Sequence, residues 1–327
     1  MNYPRRNFLR FAAKAAALPA LTRVAMAQSY PSRPITMIVP FPAGGAADVI
    51  GRIIVERMRE PLGQPIIIEN IGGADGSIGV GRTARARPDG YTICLGIDAT
   101  FVLNSAFYAL PYDVLNDFTP ISPLAAGSTV LVARKTLPAE HLSELIDWLK
   151  ARPNQASMGM NTLSFRLLAM RFQGQTGTHF NIIPYRAVGA VIGDLVAGQI
   201  DLAFGTLTTH LPQLRAGGEK AFAVAGETRS ALAPDIPTFA EMGLPALTYS
   251  SWYGVFAPKN TPKDIIDKLN AATVQALGDP VVQSRIVDLG FEAFPRDRQT
   301  PETLAAMQKA DAEKWWPLIK EFGIKAE

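Results

Sequence analysis

Four stretches of this chain place glycine, hydroxyl, amide or cationic residues where an apolar run gives way to a helical pattern. The first is Phe41-Pro42-Ala43-Gly44-Gly45-Ala46, with Asp48 close behind. The first four N–H groups of a helix lack intrahelical partners, and with the positive end of the macrodipole they attract an anion. Glycines at the bend clear side chains from the approach of a carboxylate, and Pro42 stiffens it. Asp48 stands three residues after Gly45, a spacing at which its carboxylate bonds back to the bend and holds the loop. A plain strand-to-helix turn would use the same residues, so this stretch alone leaves both readings open.

The second stretch, Ser157–Leu168, reaches its helix through Asn161, Thr162 and Ser164, each able to cap the helix or donate to an anion, with Arg166 one turn further on. The third passes through Tyr185, Arg186 and Ala187, and the fourth through Gly205 and Thr206. Arg166 or Arg186 could fork onto a carboxylate, worth about 1.5–3 kcal/mol as a charge-assisted contact, or stand solvated on the surface.

Enzyme motifs fare poorly. Gly76–Thr83 resembles a Walker A loop, but Arg82 occupies the lysine position, and Gly79–Ala84 follows no strand directly as a dinucleotide fingerprint should. No G-x-S-x-G occurs. His141, His179 and His210 are far apart and without ligand spacing, which leaves a metal centre unsupported. No cofactor is expected.

The elements that must position these residues are legible as alternation. Short apolar runs at Ile35–Val39, Ile66–Glu69, Thr92–Leu95, Val130–Ala133, Asn181–Ile183, Asp201–Phe204, Ala221–Ala225 and Trp252–Phe256 alternate with helical spacing such as Val49/Ile50/Ile53/Ile54/Met58. This rhythm predicts an α/β fold with largely parallel sheets. The segments 116–135 and 245–262 are strand-like but broken by Pro, Gly and Ser, which suits a chain crossing twice between two lobes. The expected division is 28–129 with 249–327 as one lobe and 130–248 as the other, with a ligand cleft between.

Residues 1–27 read as a twin-arginine export signal: Arg5-Arg6, a modest apolar run, then Ala25-Met26-Ala27, placing the mature start at Gln28. The run is too short to span a bilayer, so no membrane insertion is expected. Losing Arg5, Arg6, Arg10, Lys14 and Arg23 takes the formal charge from +3 to −2, which gives no electrostatic footprint for nucleic acid. The single cysteine, Cys94, lies in the apolar run YTICLG and excludes an internal disulfide. A periplasmic protein is the expectation.

The sequence from about Tyr30 onward resembles the Bug-type extracytoplasmic solute receptors of tripartite tricarboxylate transporters. The resemblance rests on YPSRPITMIVPFPAGGAADVIGRIIVERM, RPDGYTICLG, PYDVLNDFTPIS, IIPYRAVGAVIGDLVAGQIDLAFG and SSWYGVFAPKNTP. It implies a type II periplasmic binding-protein fold, a monomer that captures a small organic carboxylate, and delivery to integral membrane permease subunits without catalysis. It also implies that Phe41, Pro42, Gly44, Gly45 and Asp48 form a carboxylate-holding loop, with Ala43 where a second proline is usual. Departures fall at the other stretches. Met158 to Ser164 replaces a Ser-Ser-Gly-Asn-Gly-Thr-Ser run, Arg166 a histidine and Ala187 a glycine, and Gly205 stands where aspartate is frequent. With Met158, Met160, Leu163 and Arg166 at the cleft, the expected ligand is a carboxylate with an apolar body. A sensor subunit presenting its ligand to a membrane kinase, or a hydrolase using the same cleft, would need the same pocket.

Overall fold

The computed structural model describes residues 30–185 and 187–321; the expected export signal and Arg186 lie outside them. Strands β1 (Ile35–Val39), β2 (Ile66–Asn70) and β3 (Thr92–Ile97) are parallel, in the order β2-β1-β3. Helix α1 (Ala46–Leu62) joins the first two, and α2 (Ser77–Ala84) lies between the second and third. On α1 the periodic residues Ile50, Ile53, Ile54 and Met58 are buried while Arg52, Glu56, Arg57 and Arg59 face solvent. Gly63, left-handed at φ 66°, closes α1 by donating to the Arg59 and Glu60 carbonyls.

A second parallel group repeats this plan. It contains β5 (Ser157–Met160), β6 (Asn181–Pro184) and β7 (Leu202–Thr206), with β5 central. The helices are α3 (Leu142–Lys150), α4 (Leu163–Thr176), α5 (Val188–Val196) and α6 (Leu207–Arg215), followed by strand β8 (Glu219–Val224). Two long antiparallel strands join the groups. β4 (Phe118–Arg134) pairs with β9 (Ser250–Pro258) from Phe118↔Pro258 to Ser128↔Ser250, then with β7 from Thr129↔Thr206 to Ala133↔Leu202. Helices α7 (Lys263–Leu277) and α8 (Pro280–Asp288), strand β10 (Phe291–Ala293) and helix α9 (Pro301–Glu321) complete the chain.

The register fixes which ends of the two groups meet. β3 runs toward the crossing, its last residue Ile97 opposite Tyr253, and β7 runs toward it from the other side, ending at Thr206 opposite Thr129. The carboxyl ends of both parallel groups therefore converge on residues 127–129 and 250–253, the edge where open α/β sheets hold ligands. No described helix is long and apolar enough to cross a membrane.

Three apolar clusters hold the layers. One packs Ile50, Ile54 and Met58 of α1 with Leu269 and Ala276 of α7 around β1 and β3. Another packs Val191 and Leu195 of α5 and Leu207 of α6 on Val130, Val132 and Ala203. The third runs through both groups, linking Phe101, Phe118, Trp252 and Phe256 to Leu145, Phe172 and Phe204, and includes the buried Cys94. In it the Phe101 ring stacks on Phe256 at 3.9 Å and meets Phe118 edge-on at 4.9 Å. Because Phe101 is fully buried, Phe101→Ala should cost about 3–5 kcal/mol, read as a lower urea midpoint with an unchanged m-value.

Candidate functional site

The bend after β1 leads into α1 at the carboxyl edge. Residues Pro42 to Ala46 are exposed and Phe41 is half-buried. Gly44 takes φ 85°, a left-handed conformation that favours glycine. Gly45 at φ −78° does not need it; open space lies around its Cα, with only the Pro42 carbonyl 3.6 Å from where a Cβ would stand. Asp48, buried one turn into α1, accepts from the Gly44 N–H at 2.9 Å, from Arg52 Nε at 3.0 Å and from Asn70 Nδ2 at 3.0 Å. Asn70 also donates to the Phe41 carbonyl at 3.1 Å. The bend is thus pinned at both ends. The Arg52 hydrogen bond, helped by the Gly44 amide and Asn70 against a burial penalty, lowers the Asp48 carboxyl from 3.8 to about 2.

A second bend lies against the first. Gly72 packs on Pro42 and Gly76 on Pro40, and Ala74 and Asp75 hold φ 46° and 50°. Left-handed backbone at two successive non-glycine residues costs roughly 1 kcal/mol or more each. Asn104 Nδ2 supports it by donating to the Asp75 carbonyl at 2.8 Å, and the Tyr108 hydroxyl donates to the Asp75 carboxylate. Glycines 72, 73 and 76 are the sequence signal for this bend, yet none of its residues stands among the expected site residues.

Across the crossing, Asn161, Thr162, Arg166 and Tyr185 line one cavity of about 490 Å³. Its apolar wall is Met160, Leu163, Met170 and Ile182, and Gln173 supplies a further polar group. Thr162 is the N-cap of α4, its hydroxyl accepting from the Phe165 N–H at 3.3 Å. The Tyr185 hydroxyl donates to Asp194 at 2.7 Å; burial and that bond push it up to about 12, so it stays protonated. Phe41 to Asp48 do not contribute to this cavity.

Five expected residues stand elsewhere. Ser164 is buried, and its hydroxyl donates to Asp98 at 3.4 Å instead of facing open space. Gly205 does not face the cleft: it is buried, and a Cβ there would lie 2.1 Å from His210 Nε2, because that imidazole fills the position. His210 is itself buried, with Nδ1 2.8 Å from Glu219. Thr206 and Ala187 precede α6 and α5 outside the cavity. Met158 is fully buried in the core, since both faces of β5 are covered.

Sequence reading missed Asp98, which follows β3 at the meeting of the two carboxyl edges. Its buried carboxylate accepts from the hydroxyls of Ser164, Tyr249 and Ser251. Burial pushes it from 3.8 up to about 6, partly offset by the Tyr249 and Ser251 hydroxyls. No described group of His, Cys, Asp and Glu could hold a metal ion.

Asp48 yields a pH prediction. Its carboxyl is depressed in the fold, so its contribution to stability is present above 3.8 and is lost as pH falls through about 2. Asp48→Asn should lower the melting temperature at neutral pH, with the gap to wild type closing as both are scanned below about pH 3.

Comparison with known proteins agrees with this architecture. Residues 50–324 match the family model described as the tripartite tricarboxylate transporter family receptor. Protein BugT of Bordetella pertussis is 36% identical over 308 residues, covering 91% of this chain and 92% of that protein. MatC of Rhodopseudomonas palustris, solved with bound malate, is 32% identical with a TM-score of 0.74 over 89% of this chain and all of that one. Another R. palustris protein, solved with adipate, is 30% identical with a TM-score of 0.75 over 90% of this chain and 99% of the other. The chain belongs to the tripartite tricarboxylate transporter receptor family of periplasmic solute-binding proteins, whose members are receptors and not enzymes.

Proposed function

We propose that this receptor captures a small organic carboxylate with an apolar body between its two carboxyl edges and hands it to integral membrane permease subunits. The observation that carries this reading is the cavity at the start of α4. There Asn161, Thr162 and Arg166 stand beside the apolar side chains of Met160, Leu163, Met170 and Ile182. In this reading the ligand carboxylate meets Arg166 and the polar start of α4, and its carbon skeleton lies on the methionine and leucine wall. The glycine bend at Phe41 to Ala46 supplies the facing amides when the lobes 28–129 with 249–327 and 130–248 close. Related proteins hold malate and adipate, both carboxylates, which supports the ligand class. Adipate, with its longer methylene chain, suits the apolar wall better.

The energetics suffice for such a task. Several amide and hydroxyl bonds to a carboxylate, at about 1.5–3 kcal/mol each, exceed the lower end of an association cost of about 4–15 kcal/mol. Burial of a short carbon chain adds about 0.8 kcal/mol per methylene, which brings micromolar affinity within reach. We further propose export to the periplasm through the twin-arginine route, on the strength of Arg5-Arg6 and the Ala25-Met26-Ala27 pattern, and a monomeric state, as the family resemblance implies.

A thermal-shift panel tests the ligand class: a carboxylate at about 100 Kd should add about 2.7 kcal/mol of stability. Adipate and aromatic carboxylates should outrank aspartate and glutamate, and the reverse ranking would overturn the apolar-body assignment. Gly45→Glu should fold, because space surrounds that Cα, yet lose binding by placing an anion at the bend. Arg166→Ala should weaken binding at least tenfold by calorimetry, or about 1.4 kcal/mol.

A further inference from the structure

The buried carboxylate of Asp98 has no part in the ligand cavity, and its place in the fold asks for an explanation. It directly follows β3 in one half of the molecule, 3% exposed. Its Oδ1 accepts from Ser251 Oγ at 3.0 Å, and its Oδ2 accepts from the Tyr249 hydroxyl and, at 3.4 Å, from Ser164 Oγ. Tyr249 and Ser251 belong to the approach and start of the crossing strand β9, whereas Ser164 lies in the first turn of α4 in the other half. One carboxylate therefore ties three elements: the carboxyl edge of the first parallel group, the crossing strand, and the helix whose start lines the cavity.

Its surroundings are unusual for a buried anion. The ionisable groups that face it are Tyr249 and Tyr253 from the β9 side and Asp311 from α9. Lys314 stands beyond, acting on Asp311 and donating to the Thr248 carbonyl. The hydroxyl partners are neutral, and burying a charge with only neutral partners opposes folding. Three donors converging on two oxygens suit the ionised form. Protonation removes the cost of the buried charge, and the new acid O–H donates to one of these hydroxyl oxygens, which accepts in place of donating.

We propose that Asp98 is the positioning residue that latches the two halves together, its carboxylate fixing the first turn of α4, and with it the ligand cavity, against β9. The reading of that cavity as the ligand site is the receptor proposal above, on which the affinity part of this inference rests. Burial raises the Asp98 carboxyl to about 6, so the closed arrangement that buries it holds a proton more tightly than an opened, solvated one: the latch tightens on mild acidification and loosens as pH rises through about 6. Ser164 acts only as its partner on α4, which explains a hydroxyl turned inward at a helix start that otherwise faces the cavity.

Small-angle scattering of the ligand-free protein between about pH 7.5 and pH 5 tests the latch without any ligand. The radius of gyration should fall on acidification with a midpoint near 6, as Asp98 takes up its proton and its burial penalty is relieved. Asp98→Asn should remove that transition, and Ser164→Ala should keep the expanded value down to about pH 5. Adipate affinity in Ser164→Ala, by calorimetry at that pH, should fall about tenfold. A wild-type radius that does not change with pH, an Asp98→Asn protein that keeps the transition, or a Ser164→Ala protein matching wild type in radius and affinity would each overturn the proposal. Should Asp98→Asn fail to fold, Ser164→Ala carries the decision. Wild type that binds neither adipate nor malate at any pH would count against the receptor reading, and the scattering would still decide the latch.

Discussion

The ladder between β4 and β9 is the constraint on which the rest of the molecule depends. It runs from Phe118↔Pro258 to Ser128↔Ser250, and beyond Ser128 the same β4 strand becomes a partner of β7 and β8. Because β3 pairs with β9 and β7 with β4, the direction of both parallel groups is dictated by the antiparallel pairs at the centre. A slip of one residue in that ladder would turn every side chain on β4 to the opposite face. The two register shifts around Pro120 and Pro123 are placed where proline cannot donate, so the ladder bends without losing its frame.

Given that frame, the polar chemistry of each half is local and cheap to build. Asp48 holds its bend through contacts within 22 residues, and Thr162 caps α4 through an amide three residues away. The Ala74–Asp75 bend is the exception, since its backbone resists the conformation it holds and depends on Asn104 and Tyr108 for support. Backbone strain backed by side chains from another element is a common way to preorganise a site.

How much of this was legible in the sequence depends on how local each signal is. Strand β1 falls on Ile35–Val39 as its apolar run predicts, and α1 begins at Ala46, where the glycines give way to i, i+3, i+4 spacing. By contrast β4 extends well beyond Val130–Ala133, because Pro120, Pro123 and Gly127 hide a strand that tertiary pairing enforces. β10 is three residues long and owes its existence to Ala125–Gly127, far away in sequence. The same holds for the site. Helix-start chemistry singles out Asn161 and Thr162, but Asp98 meets partners 66, 151 and 153 residues away, and no spacing rule reaches that far. Gly205 misled for a different reason. Its missing side chain reads as an open wall, whereas His210, five residues on, folds back to occupy the space.

Cys94 sits on β3 beneath these features, fully buried, with burial pushing its acidity to about 12 despite the Thr83 hydroxyl. At neutral pH the sulfur is therefore held as the thiol and not as the anion, the form that attacks disulfides and alkylating reagents. In an oxidising compartment the chain is thereby protected from mixed-disulfide formation and covalent dimers. The same property makes its exterior a blank surface, on which a single introduced cysteine would take a spectroscopic label without competition from the native one.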